Sequence, residues 1–142
     1  MDHIVFLDHE ANELENLVMG NKSMIIRGAA DRTIPFGKVS KGDILFLTES
    51  RGENIVTASG IVTTVINSGE LSCEESYETI IRHQDRLQLP DKQFESIAGS
   101  KYLVLIGLTG IRKIEPFRFP KHKLAPENDW ISVGNIETFH TA

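Results

Sequence analysis

The sequence predicts an α+β domain, a mixed β core with helices packed on its outside. Three observations predict it. Apolar runs of strand length recur at residues 4–7, 24–27, 44–47 and 102–108. A longer run at 55–66 has its better apolar face on Val56, Ala58, Val62 and Ile66. Gly60 lies in its middle, where a bulge lets a strand bend as small barrels require. Helix start and stop signals occupy three of the intervening stretches.

The first run leads to Asp8, an N-cap candidate whose carboxylate can accept from orphan amides of the next turn. Glu10, Glu13 and Glu15 follow where a helix dipole favours negative charge, and Leu14, Leu17 and Val18 form a one-sided apolar stripe. A helix over 8–19 is expected, stopped by Gly20 in the left-handed conformation that glycine adopts without penalty. Lys22 and Arg27 then bracket the second strand, five residues apart, so their side chains leave opposite faces if the strand is regular.

Residues 28–38 have glycine, proline and no periodicity, and make a loop longer than a connection requires. Arg32, Phe36 and Lys38 stand on it as candidates for function, while Ile34, Pro35 and Phe36 would equally cap one end of a barrel. Residues 41–43 form a turn, and the polar stretch 49–54 reads as a hairpin connection. Ser72-Cys73-Glu74-Glu75 matches a capping box, so a helix is expected over 73–86 with Tyr77, Ile80 and Ile81 inward. A shorter helix over 91–98 carries Phe94 and Ile97 inward. The run 102–108 is apolar enough to be buried on both faces; Gly110 breaks it, and residues 111–117 are expected to continue the sheet to Pro116. The only tryptophan, Trp130, comes late in the chain.

One hundred and forty-two residues suit one domain with a real core, and 40% hydrophobic against 25% charged residues excludes a disordered chain. A single cysteine, Cys73, rules out an internal disulfide and suggests a reducing compartment. With no signal-peptide pattern at the start and no apolar run near the ~20 residues of a membrane span, a soluble cytoplasmic protein without membrane contact is expected.

Catalytic and cofactor signatures are absent: no G-x-S-x-G, no P-loop, no dinucleotide fingerprint. The five histidines lack metal-ligand spacing, so neither metal nor cofactor is expected. The net charge of −5 excludes a protein that coats nucleic acid with its whole surface. Its distribution is uneven. Residues 20–42 carry +4 through Lys22, Arg27, Arg32, Lys38 and Lys41 against Asp31. Residues 112–123 carry +4 through Arg112, Lys113, Arg118, Lys121 and Lys123 against Glu115. Each is a solvated face or, if the two meet in space, an anion-binding surface.

The stretch Gly20-Asn21-Lys22-Ser23-Met24-Ile25-Ile26-Arg27 resembles the G-x-K-x-x-E-x-R signature of ASCH domains, small PUA-like barrels, with Ile25 in place of the usual Glu. The resemblance implies a single ASCH/PUA-like domain over residues 1–142, a mixed β pseudo-barrel with flanking helices. It also implies two kinds of function. Some ASCH-type proteins are amidohydrolases that remove the acetyl group of acetylcytidine with a Lys, a Thr and a Glu. Lys22 matches the first and Asp85 aligns loosely with the third. Ile25 stands at the Thr position and has no oxygen to attack a carbonyl, so that chemistry is not expected.

The other implied function is binding of RNA or a nucleotide-like small molecule between barrel and flanking loop. Lys22, Arg27, Arg32 and Lys38 would serve phosphate or carbonyl oxygens, with Phe36 or Trp130 stacking on a base. Lys22 and Arg27 are then expected at one cleft with part of the 28–41 loop, Asp85 or another helix residue approaching from across it. The plainer alternatives are that Lys22 is a solvated surface lysine and Trp130 a barrel plug. A scaffold that binds another protein leaves no specific trace in the sequence. The oligomeric state is open.

Overall fold

The computed structural model describes residues 1–33, 35–49, 54–119 and 129–139. Ile34, the 50–53 part of the expected hairpin connection, and Lys121 and Lys123 of the second basic segment lie outside them. Six strands form one curled sheet: β1 (Asp2–Leu7), β2 (Met24–Ala29), β3 (Ile44–Glu49), β4 (Ile55–Asn67), β5 (Tyr102–Arg118) and β6 (Trp130–Gly134), in the order β2-β5-β4-β3-β1-β6. β1 and β3 run parallel; every other neighbouring pair is antiparallel. The register of β4 against β5 shifts between Ser59 and Ile61, at Gly60, and at two further places, so these long strands coil. β5 passes through Gly110, where a break was expected, and the sheet continues beyond it as expected, to Arg118.

The sheet curls around a first core that includes Val5, Leu7, Ile25, Leu45, Leu47, Val104, Ile106 and Trp130, with Leu17 of helix α1 (Glu13–Met19) inserted. β2 and β5 are apolar on both faces because their other side is covered too. There Met24, Ile26, Leu103 and Leu105 meet Ile80, Leu87 and Leu89 from the helical segment between β4 and β5. That segment comprises α2 (Cys73–Arg82), α3 (Gln84–Leu87) and α4 (Asp91–Ile97). No helix among the described residues is long and apolar enough to cross a membrane.

Local signals placed the helix ends unevenly. Gly20 has φ 82° and ends α1 as expected. Ser72 and Glu75 form both halves of the capping box. Asp8 does accept from the amides of Glu10 and Ala11, at 2.9 and 3.3 Å, but the chain makes a turn there. Asn12 lies at φ 52°, and the helix starts only at Glu13. The expected helix over 73–86 divides at His83. Of its three expected inward residues only Ile80 is buried; Ile81 is 61% exposed and Tyr77 44%. The buried line is Ser76–Ile80, one turn apart, with Ser76 Oγ accepting from the Gly99 amide.

Candidate ligand-binding site

The sheet ends at β2 on one edge and at β6, beyond β1, on the other, so no ladder joins β2 to β1 and a side chain must bridge the seam between them. Arg27 does so: its guanidinium donates to the Phe6 carbonyl at 2.9 Å and to the Ile26 carbonyl at 2.8 Å. Beside the seam lies a cavity of about 350 Å³. Its walls are Phe6 and Asp8 at the end of β1, Glu13 of α1, Arg27 and Gly28 of β2, Gln93 and Ser96 of α4, and Asp129. Its size lies within the range of small-molecule sites, about 300–1,000 Å³.

Lys22 is neither solvated nor part of that wall. It turns inward from the corner between α1 and β2, and its Nζ lies 3.2 Å from Glu13 Oε2, both side chains 1% exposed. The contact is an ion pair without hydrogen-bond geometry, for neither atom has a directed partner among the described residues. Glu13 Oε1 accepts from the Asp8 amide at 2.9 Å, which pins the 8–12 turn to the start of α1. Burial alone would raise the Glu13 pKa, but Arg27, Lys22 and the Asp8 amide together hold it below the usual value. Burial lowers the Lys22 pKa, and attraction to Glu13 offsets this only in part. The asymmetry is physical: one carboxylate is shared by two cations, whereas Lys22 has Glu13 on one side and Arg27 repelling it.

Two more buried polar atoms at this cavity have no partner among the described residues: Arg27 Nε, a donor, and Gln93 Oε1, an acceptor, on a side chain only 7% exposed. An unsatisfied buried donor or acceptor is costly in a protein interior. Arg27 and Glu13 both line this cavity, Lys22 does not, and the carboxylate beside Lys22 is that of Glu13, not of Asp85. Asp85 is exposed on α3, and the neighbouring Arg86 makes the contact to the Gly-x-Lys corner, its Nε donating to Ser23 Oγ at 3.1 Å. Ser23 therefore faces α3 while Lys22 faces Glu13.

Trp130 is 1% exposed, and its indole N–H donates to His3 Nδ1 at 3.1 Å. It is a core plug, and its ring faces are spent on packing rather than free to stack on a base. Arg32 lies over the rings of Phe36 and Tyr102, 5.6 and 5.5 Å from their centroids. Phe36 also packs on the first core, and Lys38 is exposed. Arg32, Phe36 and Lys38 lie on the loop that follows β2, a few residues after Gly28 of the cavity wall, and none of them lines the cavity.

Arg32 lies apart from the described cations of the second basic segment. Arg32 sits at the Tyr102 end of β5, whereas Arg112, Lys113 and Arg118 lie ten or more residues along that strand, roughly 30 Å at ~3.3 Å per residue. Four carboxylates, of Asp8, Glu10, Glu13 and Asp129, and one guanidinium line the cavity, and two of the carboxylates are paired with cations outside it, Glu13 with Lys22 and Glu10 with Lys92. Glu13 was within reach of the sequence, since it stands on the same stripe as Leu14, Leu17 and Val18, where a carboxylate needs a cation. Gln93 gave no such signal.

No protein-family model and no curated protein matches the sequence. Solved structures do. The ASCH protein of Zymomonas mobilis superposes with a TM-score of 0.71 at 15% identity, over 96% of this chain and 90% of that one. A tyrosine-to-phenylalanine and a serine-to-alanine variant of that protein give 0.71 and 0.70, over 93% and 91% of their chains. This chain has the ASCH fold. Ile25, where the signature has Glu, is fully buried in the first core. The carboxylate next to Lys22 comes from α1 instead.

Proposed function

We propose that this ASCH-fold protein binds RNA through one nucleotide, or a free or modified nucleoside, in the cavity beside Arg27, and does not turn its ligand over. One observation carries the reading. A cavity of ligand size is lined by Arg27 and Gln93, whose buried Nε and Oε1 have no hydrogen-bond partner among the described residues. A base edge, with N–H and C=O groups side by side, supplies both partners. Arg32 and Lys38 lie outside the cavity on the loop that follows Gly28, open to the phosphates of a bound strand.

The non-catalytic part rests on what stands near Lys22. Ile25 offers no nucleophile, Ser23 Oγ is engaged by Arg86 on another side, and Ser96 Oγ donates to the Gln93 carbonyl. Lys22 itself reaches the cavity only through Glu13. The test is a binding and turnover screen over short RNAs and nucleosides, acetylcytidine included, with the Gln93→Leu variant alongside. The expected result is binding that Q93L weakens about threefold to tenfold, the worth of one hydrogen bond. Acetate released from acetylcytidine at enzymatic rates would refute the non-catalytic reading, and binding to no member of the screen would refute the whole.

A further inference from the structure

We infer that α2 is the interface of a symmetric dimer: its outer face packs antiparallel on the same face of a second copy of this chain, Tyr77 against the partner's Ile81. The inference is independent of the cavity and of any ligand.

The face is apolar and largely uncovered. Tyr77 and Ile81 are both exposed, because the core takes Ser76 and Ile80 from the other side of the helix. Four residues apart, the two side chains stand one above the other on a single line. Tyr77 is held by Phe94 of α4, their ring centroids 5.6 Å apart. A ring already fixed in this way has little conformational freedom left to lose on association. Tyrosines so placed are common anchors of protein interfaces.

Charge identifies the occupant. Glu74, Glu78 and Arg82 lie on one flank of the Tyr77–Ile81 line, all exposed, and none of their side chains has an ion-pair or hydrogen-bond partner among the described residues. The two carboxylates stand four apart and repel each other, and Arg82 is in the last turn. A flank that is acidic at one end and basic at the other complements itself when reversed. A two-fold axis level with residue 79 sets Tyr77 opposite the partner's Ile81. It also brings the partner's Arg82 level with residue 76, between Glu74 and Glu78 and about 3 Å along the axis from each. Such an axis joins like flanks, so the charges meet on one side of the apolar contact, twice by symmetry. The opposed helix dipoles add to the attraction. Parallel pairing would set the carboxylates against themselves, and a partner of one charge sign would leave one end of the flank facing its own sign. Asp85, the next carboxylate, belongs to α3, beyond the break at His83.

The experiment is sedimentation equilibrium of the full chain at about 1 to 500 µM, a range that covers the weak association of an interface this small. It is run on the unsubstituted protein, on Ile81→Asp, on Arg82→Glu, on the double variant Glu74→Lys with Glu78→Lys, and on an equimolar mixture of the last two. Circular dichroism checks that each is folded. The expected result is a reversible monomer–dimer equilibrium that I81D weakens about tenfold or more. R82E alone and E74K/E78K alone should each weaken it about fivefold or more, since like charges then face each other. Their mixture should associate at least as tightly as the unsubstituted protein, because one flank is wholly acidic and the other wholly basic. That complementation keeps the inference testable if I81D disturbs the fold, and a role of these residues in the fold alone would not produce it. A monomer throughout the range, a dimer that I81D leaves unchanged, or a mixture that stays monomeric would each overturn the inference.

Discussion

Replacing Lys22 by methionine removes a buried cation and leaves its packing volume nearly filled. At 3.2 Å the gross attraction to Glu13 is about 5 kcal/mol with an effective dielectric of 20. That figure is not the loss, because methionine also abolishes the cost of burying the ammonium. Breaking a buried pair by removing one partner costs about 3–5 kcal/mol, mainly from the charge left behind. Here the remaining charge is not abandoned, since Arg27 still faces Glu13 and the Asp8 amide still donates to it. K22M should therefore lie at the low end, about 3 kcal/mol, or a fall of about 10 °C in melting temperature for a chain of this length. Glu13→Gln should cost more than K22M, because Glu13 serves two cations and Lys22 only one anion. Thermal and urea unfolding followed by circular dichroism measure both. A K22M loss under about 1 kcal/mol, or E13Q more stable than K22M, would refute the picture of one carboxylate shared by two cations.

Three further outcomes follow from the same geometry. Gly20→Val should destabilise by roughly 1 kcal/mol or more: an added Cβ meets nothing within 4 Å, so the penalty comes from φ 82° alone, and Gly20→Asn should cost less. Glu13 and Asp43 both have pKa values below their ordinary 4.5 and 3.8, the first for the reasons given. For Asp43, the His3 ring and the Ser40 amide outweigh its burial. Depressed carboxylate values stabilise the fold above the unfolded-state pKa and cease to do so as pH falls through the folded-state values. Urea midpoints should therefore be flat above pH 5 and drop steadily below 4.5; a midpoint that rises on acidification would contradict the sign. Gln93→Leu removes a buried acceptor without a protein partner, so it should leave stability unchanged or raise it by up to about 1 kcal/mol while ligand binding weakens.

Much of the fold was legible because its signals are local. Gly20, the Ser72–Glu75 box and the run 102–108 each act on neighbours in sequence, and each stands where its chemistry puts it. Asp8 shows the limit of such rules. Its carboxylate caps nearby amides, as expected, but the same bonds close a turn, and only the left-handed backbone of Asn12 delays the helix to Glu13. Tyr77 and Ile81 show another. Periodicity fixes a stripe on α2 but not which edge of it faces the sheet, and the core took the Ser76–Ile80 line because Ser76 also binds Gly99.

The site was less legible, for a reason that charge counting along a chain cannot escape. Residues 20–42 are basic in sequence, yet two of their five cations are consumed internally, Lys22 by Glu13 and Arg27 by the seam to Phe6. The carboxylates that line the cavity come from residues 8–13 and from Asp129, segments that only the curl of the sheet brings beside β2. A basic stretch therefore borders a cavity whose charged lining is mostly carboxylate. The inward cations hold Glu13 ionised, and the outward ones, Arg32 and Lys38, stay on the loop outside it. On this division a strand's charge and its base are met by different parts of one short segment. Arg32→Ala should then reduce the salt dependence of binding to a short RNA while leaving nucleoside affinity within about twofold, and Gln93→Leu should do the reverse. If both substitutions changed nucleoside affinity equally, loop and cavity would be one site and the division would be wrong.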